Sequence, residues 1–512
     1  MLQHKLSEFA QRQSTQGCIK SPEASPNGST RIQPAKPHAK NWDHHFSLEA
    51  SSRRVSTLKS SAKTPQADVI SLGVGRPASE FYPWQSMIMP GATDSHGTRT
   101  EANQGDAALP MICTQGESAF DLRTALDYGP SKGLAPLLRF VHQHTKLMHN
   151  PQYINWDVSL TCGATSAIEI LLRMLCDRGD SILMEEYTYT GAMEAARPLG
   201  LNLVGVEMDR DGLDPVALDK RLLQWDVASG PKPKVLYLVP CGQNPTGITQ
   251  PEERRRAIYA VVERHDLIII EDDPYYFIRL SGPFHHADTT EKQHVTADKY
   301  LTDLPLSYLS LDTSGRVLRL DSTSKIIAPG LRCGWISGCS QLIAAFTAHS
   351  DFSTMGASGP SQVMLYKLLV ERWGHEGFFQ WLMHQSRRYN ERLNTTLDAC
   401  RRYLPIEICN WTVPECGMFL WVEVDWKKHP KARREGVGID SALQVSIEGS
   451  VHARAREEGV LVSSGSWFAV SKTNQDRTYF RLTFAAAPGH KLSRAVECFG
   501  NAVRKEFLKK RS

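Results

Sequence analysis

The stretch VLYLVPCGQNPTGITQPEERRRAIYAVVERHDLIIIEDD, residues 235–273, decides the fold. It begins with the apolar run VLYLVP and closes with LIIIED, and neither run alternates with polar residues. A strand without a polar side is covered on both faces. Between the runs, Pro251 opens the helical segment PEERRRAIYAVVERHD, proline being favoured in a helix's first turn. Strand, helix and strand in that order predict an α/β fold whose mostly parallel sheet carries helices on both sides.

The same alternation extends outward from Asp157 to Gly338. VSLTCG (158–163) leads into the amphipathic TSAIEILLRMLC, SILMEE (181–186) into the segment around Gly191 to Pro198, and VLRLDS (317–322) follows later. In such sheets ligands bind beyond the carboxyl ends of the strands. Those ends carry the unusual residues. After VSLTCG, Gly163, Ala164 and Thr165 stand at a helix start, whose N–H groups and dipole suit a phosphate. Tyr187-Thr188-Tyr189 follow SILMEE, Asn244-Pro245-Thr246-Gly247 follow VLYLVP, and Asp272 ends LIIIED with Tyr275 three residues on. Lys325 follows VLRLDS among Ser322, Thr323 and Ser324, with Arg332 seven positions later.

A lysine in a poorly hydrated site loses basicity and can attack an aldehyde as a neutral amine. An aldehyde cofactor with a phosphate and a basic ring nitrogen is pyridoxal phosphate, whose ring nitrogen needs a carboxylate partner. Asp272 supplies that carboxylate, Asn244 and Tyr275 suit the ring hydroxyl, and Tyr189 can stack on the ring. Ser322, Ser324 and Arg332 suit the phosphate, the arginine through paired charge-assisted bonds.

Six motifs in order, SLGVGRP (71–77), YGPSKG (128–133), NPTG (244–247), EDDPYYF (271–277), SxSKxxxPGLRxGW (322–335) and TYFRLTF (478–484), resemble the class I aminotransferases of fold type I. The similarity is greatest to the fungal aromatic amino-acid aminotransferases and the kynurenine/α-aminoadipate aminotransferase, and runs from about Asp43 to the C-terminus. The resemblance implies a large domain built on a mostly parallel seven-stranded sheet and a smaller α+β domain. It implies boundaries near 1–42 for a disordered arm, 43–118 for the N-terminal part of the small domain, 119–373 for the large domain and 374–512 for the rest of the small one. It implies that Lys325 bonds the cofactor and shuttles the substrate's Cα proton, and that Arg481, with Asn244 and Gly75, receives the substrate α-carboxylate. Tyr128 matches a tyrosine that reaches the cofactor phosphate of a neighbouring subunit, implying a homodimer with shared sites. Relatives often carry Ser-Gln where this chain has Ala164-Thr165, which removes one side-chain phosphate contact and leaves the backbone donors.

The implied reaction moves the amino group of an L-amino acid, aromatic (Phe, Tyr or Trp) by resemblance, to a 2-oxo acid such as 2-oxoglutarate by a ping-pong route. Kynurenine, α-aminoadipate or another donor, and a fold type I lyase, remain open alternatives. A non-enzymatic regulator would need a helix-turn-helix module ahead of the fold, and the first forty residues are too polar for one. Composition agrees with an enzyme handling small molecules: 41% hydrophobic and 22% charged residues, and a net charge of +4 spread over 512 residues. That charge is too dilute for nucleic acid, and no run approaches the roughly 18–20 apolar residues of a membrane span. Eleven scattered cysteines without metal spacing fit free thiols and no metal site. A cytoplasmic location is expected, with a mitochondrial one as alternative. The arm is rich in Ser, Gln, Pro and Lys, and polar inserts are expected as surface loops near 91–118 and 281–303. Arg53 and Arg54 are the nearby cations for which a reach into the site is open.

Overall fold

Seven strands form the central sheet of the computed structural model, which describes residues 36–54, 75–90, 110–280, 297–435, 441–471 and 477–508. In chain order, β1 (Ser86–Met89) and β2 (Met111–Thr114) make a separate antiparallel pair. There follow β3 (Trp156–Thr161), β4 (Ser181–Glu185), β5 (Asn202–Val206), a short hairpin of β6 (Met208–Asp209) and β7 (Gly212–Leu213), β8 (Val235–Leu238), β9 (Ile268–Asp272), β10 (Val317–Ser322) and β11 (Gly334–Cys339). The central sheet has the order β3-β11-β10-β9-β8-β4-β5. Only β11 runs antiparallel to its neighbours in it. The expected mostly parallel, seven-stranded α/β arrangement is therefore present.

Successive side chains of a strand point to opposite faces, and here both faces are apolar. Ile268 and Ile270 join one buried cluster with Ile182, Met184 and the helix Ala164–Leu175; Leu267 and Ile269 join another with Leu183, Leu236 and the helix Glu252–Arg264. Two sheet strands, β5 and β11, carry too much glycine and polar character to read as buried strands. In β11 the glycine serves close approach: a Cβ on Gly334 would stand 2.5 Å from Asp321 O on the neighbouring strand.

A second antiparallel sheet, in the order β12-β13-β15-β14, comprises β12 (Cys409–Trp411), β13 (Phe419–Val424), β14 (Ser463–Ser464) and β15 (Thr478–Thr483). Leu420, Val422 and Val424 enter the core, together with Phe480 and Leu482. Phe419, Trp421 and Glu423 share the opposite face with Tyr479 and Arg481, since Trp421 pairs with Arg481 and Glu423 with Tyr479. This face meets the larger unit.

The N-terminal boundaries differ from expectation. Residues 36–42 were expected within a disordered arm, yet they pack on the larger unit. Trp42 is fully buried with the Arg316 guanidinium 5.1 Å from its ring, and Ala39 N donates to Asn155 Oδ1 at 2.6 Å. Residues 43–53, expected in the small domain, also lie on the larger unit. There Ser47 Oγ donates to Arg173 O at 2.5 Å and Leu48 N to Asp177 Oδ1 at 2.9 Å. One buried tryptophan and capping bonds to distant residues anchor this segment, and neither leaves a periodic signal. Arg53 pairs with Glu49 there. The insert expected over 91–118 includes strand β2, and that over 281–303 includes the helix Ala297–Thr302, whose Tyr300 is buried. The remainder of the arm, residues 1–35, lies outside the described residues, as do 91–109 and 281–296 of the inserts. Among the described residues no helix is long and apolar enough to cross a membrane.

Candidate active site

Sheet register brings the predicted residues to one end. Leu320 faces Asp272, Ser322 faces Gly334, and Gly334 faces Thr161. Asp272 is buried at the end of β9, where its Oδ2 accepts from Tyr237 Oη of β8 at 2.7 Å. Its Oδ1 is also buried and has no partner. Burial pushes the Asp272 carboxyl up to about 7 in spite of the Tyr237 hydrogen bond and the Lys325 charge. Lys325, half-buried in the turn after β10, is shifted the other way: burial first, then the Arg332 and Arg481 charges, lower its basicity, while Asp272 opposes them.

A cradle for a phosphate lies beside this pair. Gly163, at φ 87°, caps the helix Ala164–Leu175. The left-handed backbone suits glycine, and space requires it as well: a Cβ there would stand 2.4 Å from Arg332 Nη2. Arg332 Nη1 donates to Ser324 Oγ at 3.3 Å, and Ser322 Oγ donates to Ser324 Oγ at 2.9 Å. A guanidinium, two hydroxyls and a helix N-terminus thus converge, and Thr165 stands exposed in the helix's first turn.

Aromatic and amide groups complete the pocket. The Tyr189 ring folds back over Gly191, where a Cβ would lie 2.5 Å from its Cζ. Tyr275 is buried against Phe419, ring centroids 5.4 Å apart in a T-shaped contact, and burial raises its hydroxyl above the ordinary phenol range while Asn244 hydrogen-bonds it. Arg481 reaches across from β15, its Nη1 donating to Asn244 Oδ1 at 2.6 Å and its Nη2 to Ser463 Oγ at 3.3 Å. Its guanidinium lies 4.5 Å from the Phe419 ring and 4.6 Å from the Phe468 ring. Burial lowers its basicity. Among the described residues no carboxylate pairs with it.

The structure therefore gathers Gly163, Ala164, Thr165, Tyr189, Asn244, Asp272, Tyr275, Ser322, Ser324, Lys325, Arg332 and Arg481 around one cleft. Two predicted residues face open space in the single chain. Tyr128 is 69% exposed, and nothing lies within 4 Å of where a Cβ on Gly75 would be. Sequence reasoning missed Tyr237, Phe419, Ser463 and Phe468, whose roles depend on which face of a strand or turn meets the cleft. It also missed Arg319, fully buried among Glu271, Asp273 and Asp321 at 2.9–3.1 Å. A lone arginine inside the apolar run VLRLD was its available signal, because a buried charge needs partners.

The residues present fit pyridoxal phosphate. A buried carboxylate oxygen without a donor suits a protonated ring nitrogen, and a guanidinium held over a helix start suits a phosphate. Comparison with known proteins agrees. The family model for class I and II aminotransferases matches residues 100–499. The aminotransferase swnA of Arthroderma benhamiae is 48% identical over 482 residues, covering 93% of this chain and 94% of its own. An aromatic amino acid aminotransferase of Schizosaccharomyces pombe is 37% identical over 477 residues, covering 91% and 98%. Among solved structures, aminotransferase Aro8 from Candida albicans matches with a TM-score of 0.84 at 35% identity, covering 93% of this chain and all of that one.

Proposed function

Because the chain belongs to the class I and II aminotransferases, enzymes that work with pyridoxal phosphate, we propose that it moves the amino group of an aromatic L-amino acid to a 2-oxo acid such as 2-oxoglutarate. Asp272 Oδ1 would hold the ring nitrogen, Asn244 and Tyr275 the ring oxygen, and Tyr189 the ring face. Arg332, Ser322, Ser324 and the N–H groups following Gly163 would hold the phosphate. When bound, the cofactor supplies an aldehyde for the amino group and an electron sink for the Cα–H bond.

The chain's own residues do the rest. Arg481, assisted by Asn244, receives the substrate α-carboxylate in a two-point grip that sets the Cα–H bond in position. Lys325, its basicity lowered by burial, takes the proton from the substrate Cα and returns one during the second half of the cycle. Asp272 would hold the cofactor's ring nitrogen through its unpartnered Oδ1, and a positive charge there would favour the ionised carboxylate against the burial that raises it. Phe419 and Phe468 keep water from the Arg481 guanidinium and strengthen its hold on a carboxylate.

The observation that carries this reading is Arg481: among the described residues, a half-buried cation hydrogen-bonded to an amide and a hydroxyl and to no carboxylate, facing the cleft that contains Asp272 and Lys325. Such a group is complete only with an anionic ligand. An aromatic donor is supported by the name of the Schizosaccharomyces pombe relative and by the Tyr189, Phe419 and Phe468 rings about the cleft. Tyr128, exposed in the single chain, supports a homodimer in which it meets the partner's site. The described cysteines are all free, which supports a cytosolic setting.

The test is the visible spectrum of the purified protein loaded with pyridoxal phosphate. Phenylalanine, tyrosine, tryptophan, kynurenine and α-aminoadipate are added one at a time, then 2-oxoglutarate. A band lost with an aromatic donor and restored by the oxo acid is the expected result. A band that no amino acid bleaches overturns the reaction, and one bleached only by α-aminoadipate overturns the aromatic donor.

A further inference from the structure

Cys162 precedes Gly163 in the chain and Cys333 follows Arg332, so the two cysteines bracket the proposed phosphate cradle. They also lie at neighbouring strand ends of the sheet. Strand β11 pairs antiparallel with β3, with Trp335 facing Leu160 and Gly334 facing Thr161. Cys333 and Cys162 are the next residues beyond this last pair, where the ladder ends: Cys162 lies in a bend, and Arg332 and Gly163 have φ of 46° and 87°. Two contacts keep the strand ends close to each other. A Cβ on Gly334 would lie 3.2 Å from Thr161 Oγ1, and one on Gly163 would lie 2.4 Å from Arg332 Nη2.

The two thiols therefore flank the last paired residues of β3 and β11, near enough for the Cys162 charge to act on Cys333. Opposed residues of an antiparallel pair have Cα atoms about 4.5–5.5 Å apart, inside the roughly 4.4–6.8 Å that disulfides span. Both thiols are free. Cys162 is half-buried, with its Sγ donating to Gly356 O at 3.0 Å. Cys333 is buried, its carbonyl accepting from Thr323 Oγ1 at 2.7 Å. Burial, with Cys162 adding to it, pushes the Cys333 thiol up to about 12, so the partly exposed Cys162 is the sulfur that reacts first.

We propose that Cys162 and Cys333 form a modification site: a disulfide-class oxidant such as oxidised glutathione closes them into a reversible disulfide that weakens cofactor binding. The loss of binding rests on the phosphate cradle proposed above. The Cys162 thiolate attacks one sulfur of the oxidant and expels one thiol. Cys333 then loses its proton and attacks the Cys162 sulfur, expelling the second thiol. Two electrons pass to the oxidant, and the two protons given up by the cysteines end on the released thiols. The new bond fixes the backbone of Cys162 and Cys333, the neighbours of Gly163 and Arg332, so the cradle can no longer adjust around a phosphate.

The experiment treats the full-length protein, freed of cofactor, with oxidised glutathione, and measures its Kd for pyridoxal phosphate before and after. Peptide mass mapping follows the thiols. The expected result is a Cys162–Cys333 cross-linked peptide that dithiothreitol removes, with affinity reduced at least about tenfold, equivalent to about 1.4 kcal/mol, and restored on reduction. Cys162→Ser should bind the cofactor like the wild type and lose the response to oxidant. A glutathione adduct on Cys162 without the cross-link overturns the pair, and a cross-link that leaves Kd unchanged overturns its effect on the cradle. Failure of the fully reduced wild type to bind pyridoxal phosphate would instead refute the cofactor reading, while the peptide map still reports on the thiols.

Discussion

Replacing Tyr237 by phenylalanine removes one oxygen and isolates the group that sets the state of Asp272. Tyr237 Oη is the described donor to Asp272, at 2.7 Å, in a site where the other carboxylate oxygen has none. A hydrogen bond to a charged group contributes about 1.5–3 kcal/mol. At about 1.36 kcal/mol per pH unit, its loss lifts the carboxyl a further one to two units or so above about 7. The empty variant relieves that loss by taking up a proton. The loaded one cannot, because the ring nitrogen requires the ionised carboxylate, so the cost appears in cofactor affinity. The expected Kd for pyridoxal phosphate rises roughly ten- to a hundredfold near pH 6, and the difference narrows above about pH 7, as first the empty wild type and then the variant ionise. Absorbance titrations across about pH 6 to 9 measure it, with circular dichroism to check the fold. Affinities within about twofold of wild type at every pH would refute the assignment of Asp272 as the ring-nitrogen partner held by Tyr237.

Arg481→Ala should raise KM for amino acid and oxo acid by roughly a hundredfold, the loss of about 3 kcal/mol from a paired charge-assisted contact, with Kd for the cofactor little changed; steady-state kinetics beside a cofactor titration check the split. Lys325→Ala should abolish turnover while the protein stays folded and still takes up pyridoxal phosphate, which assay and spectrum read separately. The cofactor-free protein should lose stability as pH rises, because burial pushes Asp272 up to about 7 and Glu185 up to about 8. The folded state keeps protons that the unfolded chain releases near pH 4, so stability falls from about pH 4 to about 8 and then levels. Thermal melts should show this slope, shallower in Glu185→Gln. Trp42→Ala should destabilise the protein by about 3–5 kcal/mol, since this fully buried ring also covers Arg316; urea unfolding measures it.

Most of the cleft was legible because its residues sit at strand ends, and strand ends are marked where an apolar run stops. Asp272, Asn244 and Lys325 each follow such a run, and Arg332 lies a short turn beyond one. Tyr237 was not legible, because within VLYL it reads as one more buried side chain; only the pairing of β8 with β9 places its hydroxyl on Asp272. Phe468 lies in a turn far along the chain, and its contact with Arg481 exists only where the second sheet meets the first.

The N-terminal segment shows the same limit from the other side. Polar composition through residue 42 argued against order, yet Trp42 and the backbone of Ala39 are held by Arg316 and Asn155, residues more than a hundred positions away. Local pattern was enough for the α/β class, the mostly parallel course of the sheet and the cofactor, and it picked out most of the residues that meet at the cleft, because hydrophobic period and strand-end chemistry are local properties of the chain. Tertiary structure alone decided which carboxylate oxygen is left free, which rings enclose Arg481, where the ordered segment begins and which two cysteines flank the last pair of β3 and β11. Each of those depends on register and on contacts between distant segments, which no local pattern encodes.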